Sequence, residues 1–256
     1  MRKKIVPFRA HMSAQRAGQG LPAEGSSRGF VFYSSGDPFD YDYLTQLLPK
    51  STPSPDSLPT DGEMMYGGGS VLGGASDDML FQNLGVSDDS STQVQVEAYL
   101  AGSLERHFSN HWGAEGSEAD ESAKRDSPWG KGRIKGVWSG ILGISADMLP
   151  WVGRVPKLAS GRSEPARRGL LQASSPCLSA PGEWISAGFT GEGMVHAWLC
   201  GNAVARMVLG DEYSGLDSIR QGSTPHGRDV PLPDAFVITE KRLKKAKLED
   251  LMAKAK

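Results

Sequence analysis

Along the 256-residue chain the spacing of apolar positions changes repeatedly, and each change marks an element. Ile5–Met12, Phe30–Ser34 and Glu63–Tyr66 are short runs of β-favouring residues and predict strands. Tyr41–Leu48 predicts a short helix. Val94–Phe108 predicts a longer one, with Val94, Ala98 or Tyr99, Leu104 and Phe108 near one stripe, which reads as core packing. Glu183–Ala187 supplies Trp and Ile for another strand, and a helix follows from about Glu192 to Leu209. Lys50–Thr60 reads as an exposed Pro/Ser loop, residues 113–131 as a polar connection, and residues 157–181 as a long surface excursion between two strands. Glu240–Lys256 carries seven Lys/Arg against three acids and predicts a basic terminal helix. Such a helix is either solvated or placed against a membrane surface or anionic partner. No internal repeat is evident.

Composition narrows the class. The length suits one or two domains with a real core, whereas 32 glycines and 16 prolines point to a loop-rich chain. A net charge of −2 gives no reason to expect a nucleic acid as partner. No run reaches the length of a membrane span, and residues 1–20 lack a secretory apolar core, which predicts a cytoplasmic protein. Cys177 and Cys200 form neither a disulfide framework nor a metal spacing, so both are expected to be free thiols and no metal site is expected.

The most informative stretch is Gly182–Gly201, which contains Gly188, Phe189, Thr190, Gly191, Glu192, Gly193 and Met194. Three glycines between a strand and a helix let the main chain approach a ligand with no Cβ in the way. The helix then offers free N–H groups and the positive end of its dipole, which suit a phosphate, a carbonyl oxygen or an anionic ring edge. Many α/β proteins cap a strand this way with no ligand, and the residues alone leave that choice open. Glu192 reads as a helix-dipole partner and His196 as a packed helix histidine.

Gly188–Met194 followed by His196–Ala205 resembles the C-terminal flavin-contacting segment of FAD-dependent oxidoreductases of the D-amino-acid-oxidase-like (DAO) family. Gly136–Gly153 resembles the strand and loop that precede it there: Trp138, Asp147, Pro150 and Gly153 keep the spacing, with Met148 where glycine is common. Ile5–Arg16 resembles the Pro-x-Arg-Gly-Gln/His strand of the substrate domain, with Ala10 replacing the glycine. Gly62–Gly69 resembles the strand ending in a glycine cluster. The four matches keep the family's order over residues 5–210.

The resemblance implies an α/β (mixed α+β) fold: a substrate-domain mixed sheet plus the closing strand and helix of a FAD-binding domain. It divides the chain into 1–135 (substrate-domain portion), 136–213 (FAD-domain portion) and 214–256 (tail). It also implies hydride transfer from a small-molecule substrate, an amine or related compound, to FAD held by the amides of Gly188–Met194. Leu142 stands where amino-acid-oxidising relatives carry a carboxylate-clamping arginine, and Gly140 where others carry a flavin-linking cysteine. Non-covalent FAD is therefore expected, and a simple carboxylate-clamped amino acid is not. Arg9 and His11 are candidate substrate-binding residues, with Arg16 and Arg133 as further cations; no residue stands out as catalytic.

The family's N-terminal strand, Gly-x-Gly-x-x-Gly and helix are not in this sequence, which reads as the later portion of a longer member. Gly67–Gly74 does not replace them, because its spacing is wrong and Ala75–Met79 makes no apolar-faced helix; it reads as a turn. The alternative is therefore a non-catalytic binding or interaction module of the same fold that no longer holds FAD.

Overall fold

A computed structural model describes residues 1, 3–23, 27–33, 41–49, 62–69, 82–115, 132–163, 182–208 and 232–254. The fold is mixed α+β and forms two compact bodies, residues 8–141 and residues 1–7 with 142–256. The divisions fall inside two strands, β1 (Ile5–Gln15) and β5 (Ile134–Ser145).

In the 8–141 body, β2 (Arg28–Tyr33), β3 (Tyr41–Gln46) and β4 (Met64–Gly67) join β1 and β5 in a sheet of order β2-β3-β4-β1-β5. The pairs β2–β3, β3–β4 and β4–β1 are antiparallel. Tyr41–Gln46 is thus a strand where the sequence predicts a helix. Its side chains alternate strictly, with Asp42, Leu44 and Gln46 buried and Tyr41, Tyr43 and Thr45 exposed, so partners on both edges impose the period of two.

Helix α1 (Val94–Phe108) lies where the sequence puts it, but its buried stripe is Val96, Leu100, Ser103 and Leu104, whereas Val94 is 73% exposed. These residues close over Leu21, Leu44, Met64, Tyr66 and Trp112 to form the core. The face of β1 in this body is buried yet polar. Ser13 Oγ donates to Tyr66 O (3.0 Å), and Gln15 Nε2 donates to Ser13 Oγ (2.9 Å) and Leu100 O (2.8 Å), tying sheet to helix. Arg133 lies over the Trp112 ring and pairs with Glu105 and Glu115. Gly68 and Gly69 take positive φ beyond β4, in keeping with the predicted turn; residues 70–74 fall outside the described residues.

The second body pairs β6 (Trp151–Arg154) with β7 (Trp184–Ala187) antiparallel. Helix α2 (Lys157–Ser160) follows β6, and α3 (Gly193–Val208) follows β7. The sequence predicts one basic terminal helix from Glu240, solvated or set against a surface or partner; helical structure is found there, but the single helix and its solvation are corrected. Two short helices, α4 (Glu240–Lys245) and α5 (Leu248–Lys254), form there instead, and Leu243, Ala246 and Leu251 are buried. Ile238 N donates to Val152 O (3.1 Å), and Val237 bridges Val152 in parallel. Ile238, Leu243 and Ala246 pack with Trp151, while Leu232 packs with Val152 and with Cys200 and Ala203 of α3. Of the predicted loops, 50–60 lies outside the described residues, as do residues 116–131 of the connection 113–131 and residues 164–181 of the excursion 157–181, with Cys177; the excursion opens on the short helix α2. Cys200 is a free, buried thiol whose pKa burial pushes up. Among the described residues, no helix is long and apolar enough to cross a membrane, and no group of His, Cys, Asp and Glu could hold a metal ion.

Candidate functional site

Strand β7 delivers the chain into the glycine turn, and three positive φ values bend it: Gly188 (73°), Thr190 (56°) and Gly191 (89°). Gly188 is structural. It is buried, and a Cβ there would lie 3.1 Å from Trp151 Cδ1 and 3.2 Å from Ile5 Cγ1. Gly191 and Gly193 differ, since a Cβ at either would meet nothing within 4 Å. The turn is packed at its first residue and open at its far end.

Thr190 holds the left-handed conformation through three bonds. Its N–H donates to Gly143 O (3.1 Å), its Oγ1 accepts from Ser145 N (3.1 Å), and the same hydroxyl donates to Gly188 O (3.2 Å). Glu192 N donates to Phe189 O (2.9 Å), and Glu192 O accepts from the amides of Val195 and His196. The amides of Gly191, Gly193 and Met194 make no hydrogen bond among the described residues. These three donors surround the start of α3, where the helix dipole is positive. Glu192 reaches His196 at 3.1 Å, and His196 meets Phe236 edge-on. His196 is thus half-buried against the C-terminal segment, in keeping with a packed helix histidine.

Beyond the turn, α3 is covered along one edge only. Cys200 and Ala203 are buried, but Met194 is 100% exposed, Trp198 81%, Val195 70% and Leu199 48%. Ala197, Gly201 and Ala205 are also exposed, and Arg206 is the one Lys, Arg, Asp or Glu in the helix. A helix apolar around most of its circumference is built to be enclosed.

The turn's footing is a polar network absent from the sequence reading. Asp147 follows β5 and accepts Ser145 Oγ (2.7 Å), Arg242 Nε (2.8 Å) and Arg242 Nη2 (2.9 Å). Burial alone would raise its pKa, but the hydrogen bonds from Arg242 and Ser145 outweigh it and hold the carboxyl below its ordinary value. Trp151 Nε1 donates to Ser145 Oγ (2.8 Å), and Arg242 stacks 3.8 Å from the Trp151 ring centroid. Arg242 had one sequence signal, an arginine three residues after Thr239, whose Oγ1 caps α4 by accepting Arg242 N (3.1 Å). A recess of about 210 Å³ in the same body is lined by Arg154, Ser160, Arg162 and Glu183, not by the turn.

Arg9 and His11 belong to the other body. Arg9 Nε donates to Asn83 Oδ1 (3.2 Å) and its Nη1 to Ser91 Oγ (3.5 Å). His11 is 2% exposed, and its Nε2 accepts the backbone N–H of Gln93 (3.1 Å), the residue before α1. A ring nitrogen that accepts is unprotonated. Burial first and Arg9 second lower the His11 pKa. Its observed task is therefore to cap a helix. Arg16 donates to Gly132 O.

The same body holds a second network missed in the sequence. Asp42 Oδ2 accepts Tyr66 OH (2.8 Å) and Tyr99 OH, and its Oδ1 accepts Gly69 N (2.8 Å). His107 Nε2 lies 3.2 Å from Tyr66 OH and 3.7 Å from Asp42 Oδ2, and its ring stacks on Phe32. Burial acts to raise the Asp42 pKa, but bonds from His107, Tyr99, Gly69 and Tyr66 prevail and lower it; burial and the Asp42 charge raise that of Tyr66. Tyr99, Ser103 and His107 are spaced by four on α1, so this cluster anchors the helix to β3 and β4.

A scan against protein-family models finds no matching family, and a search of curated proteins finds no match.

Proposed function

We propose that the chain is a flavin-dependent oxidoreductase component, of cytoplasmic location, in which the turn Gly188–Met194 meets the electron-accepting edge of a non-covalently bound FAD. One observation carries this reading: three unused amide N–H groups, at Gly191, Gly193 and Met194, gather at the positive end of α3, with no side chain in the way at Gly191 or Gly193. Phe189, Thr190 and Glu192 shape the turn from within. Bound FAD would supply hydride acceptance from a small-molecule substrate such as an amine. The chain's contribution is electrostatic. Fixed amides and the helix dipole favour negative charge beside the turn, as an oxyanion hole does. The rigidly held Thr190 keeps those donors aimed without reorganisation.

The reading is tested by titrating FAD into the purified chain while following flavin fluorescence and absorption. Saturable uptake, weakened at least tenfold by Gly191→Val or Gly193→Val, supports it; a stable fold that takes up no FAD overturns it. The uncovered apolar arc of α3 favours a second reading, an interaction module of the same fold without cofactor. That module would remain colourless with FAD and bury Trp198 against another protein, shifting its fluorescence to the blue.

A further inference from the structure

We infer that Arg242 is a positioning residue for the 188–194 turn, and that the C-terminal segment 232–254 is a strap setting the turn's shape. This deepens the proposed function and depends on it only for what the turn would meet. A guanidinium has five N–H donors, and all five are spent here. Nε and Nη2 grip Asp147 at 2.8 and 2.9 Å, Nη1 donates to Pro150 O and Phe236 O at 2.8 Å each, and Nη2 also donates to Leu149 O at 2.9 Å. The bidentate grip and the stacking on Trp151 use the planarity of arginine, which lysine lacks.

Two routes run from Arg242 to the turn. The first is polar. Asp147, fixed by Arg242, holds Ser145 Oγ, and Ser145 N donates to Thr190 Oγ1. Thr190 is a non-glycine residue at φ 56°, a conformation that costs energy and persists only where surroundings impose it. The second is steric. Arg242 covers the Trp151 ring, and that ring lies against the backbone of Gly188. The strap is seated independently by the Ile238 N–Val152 O bond and by burial of Leu243 and Ala246, with Lys4 Nζ donating to Ala246 O (2.5 Å).

Hydrogen exchange read by mass spectrometry on the full chain, without any ligand, tests this. Arg242→Gln is expected to raise exchange of the bonded Thr190 and Glu192 amides, read in peptides covering 188–194, about tenfold or more, with 94–108 unchanged and Arg242→Lys restoring only part of the protection. Release of 234–254 with 188–194 at the parental rate overturns the inference. Ser145→Ala provides a second arm if Arg242→Gln does not fold, because it keeps the Arg242–Asp147 pair and the Ser145 N–H to Thr190 but removes the hydroxyl through which Asp147 and Trp151 Nε1 are joined to that segment, loosening both routes. Faster exchange at 188–194 with a protected strap supports the inference; unchanged exchange there overturns it. Adding FAD separates the two claims. Should the parental chain take up none, the function fails and the exchange contrast still decides the strap; should Arg242→Gln bind FAD as tightly as the parent, the strap fails and the function stands.

Discussion

His11 holds the start of α1 with a lone pair, so protonation of the ring and formation of the helix compete for the same nitrogen. The folded state lowers the His11 pKa below its ordinary 6.5. Its contribution to stability is therefore complete above pH 6.5 and is lost as pH falls below that value. Thermal melting between pH 7.5 and 5 is expected to show this loss, and His11→Gln, a neutral acceptor, to flatten it. A parental slope retained in the variant would contradict the capping role. Glycines of the turn give a second contrast. At Gly188 an added methyl meets Trp151 and Ile5 on top of a φ of 73°, whereas at Gly191 it meets open space at a φ of 89°. Urea denaturation is expected to charge Gly188→Ala roughly 3 kcal/mol and Gly191→Ala roughly 1 kcal/mol.

At the scale of elements, the strap makes the clearest prediction. Arg242 is mostly buried, with its side chain 11% exposed, and removing it leaves Asp147 with two fewer donors. Arg242→Gln is expected to destabilise the 1–7/142–256 body by about 2–3 kcal/mol in guanidinium denaturation. Elements set by local pattern were legible in the sequence: α1, whose bounds were anticipated residue for residue, and the succession of strand, glycine turn and helix from 184 to 208. Elements set by neighbours were not. Tyr41–Gln46 carries three aromatic or aliphatic residues that fit either period, and only pairing with both β2 and β4 decides for the strand. The tail reads as solvated because lysines dominate it, yet Arg242 and the buried Leu243, Ala246 and Leu251 dock it. In the turn, the sequence revealed where the glycines fall but not their division of labour, since only packing separates the enclosed Gly188 from the open Gly191 and Gly193. Asp42 and Asp147 were illegible as anchors because the partners that make them so, Tyr66 for Asp42 and Arg242 for Asp147, lie 24 and 95 residues away.

Taken whole, the molecule places one carboxylate anchor in each body, Asp42 buried between β3, β4 and α1 and Asp147 half-buried beside Ser145. Both are held below the ordinary value of 3.8 by hydrogen bonds that exceed the opposing effect of burial. A lowered carboxyl pKa contributes stability that is present above about pH 4 and lost as pH falls through the folded value. Acid titration followed by circular dichroism is expected to show a second loss below pH 4, separate from the His11 step. Asp42→Asn and Asp147→Asn are each expected to reduce its amplitude, and an unaltered acid limb in both variants would contradict the anchoring roles. The open end of the turn also has a chemical consequence. The thioether of Met194 stands fully in solvent while that of Met64 has no exposure, so dilute peroxide is expected to convert Met194 to its sulfoxide well before Met64. Slower conversion in the presence of a candidate compound would report that something has come to rest against the turn, whatever its identity, and would need neither colour nor turnover to be seen.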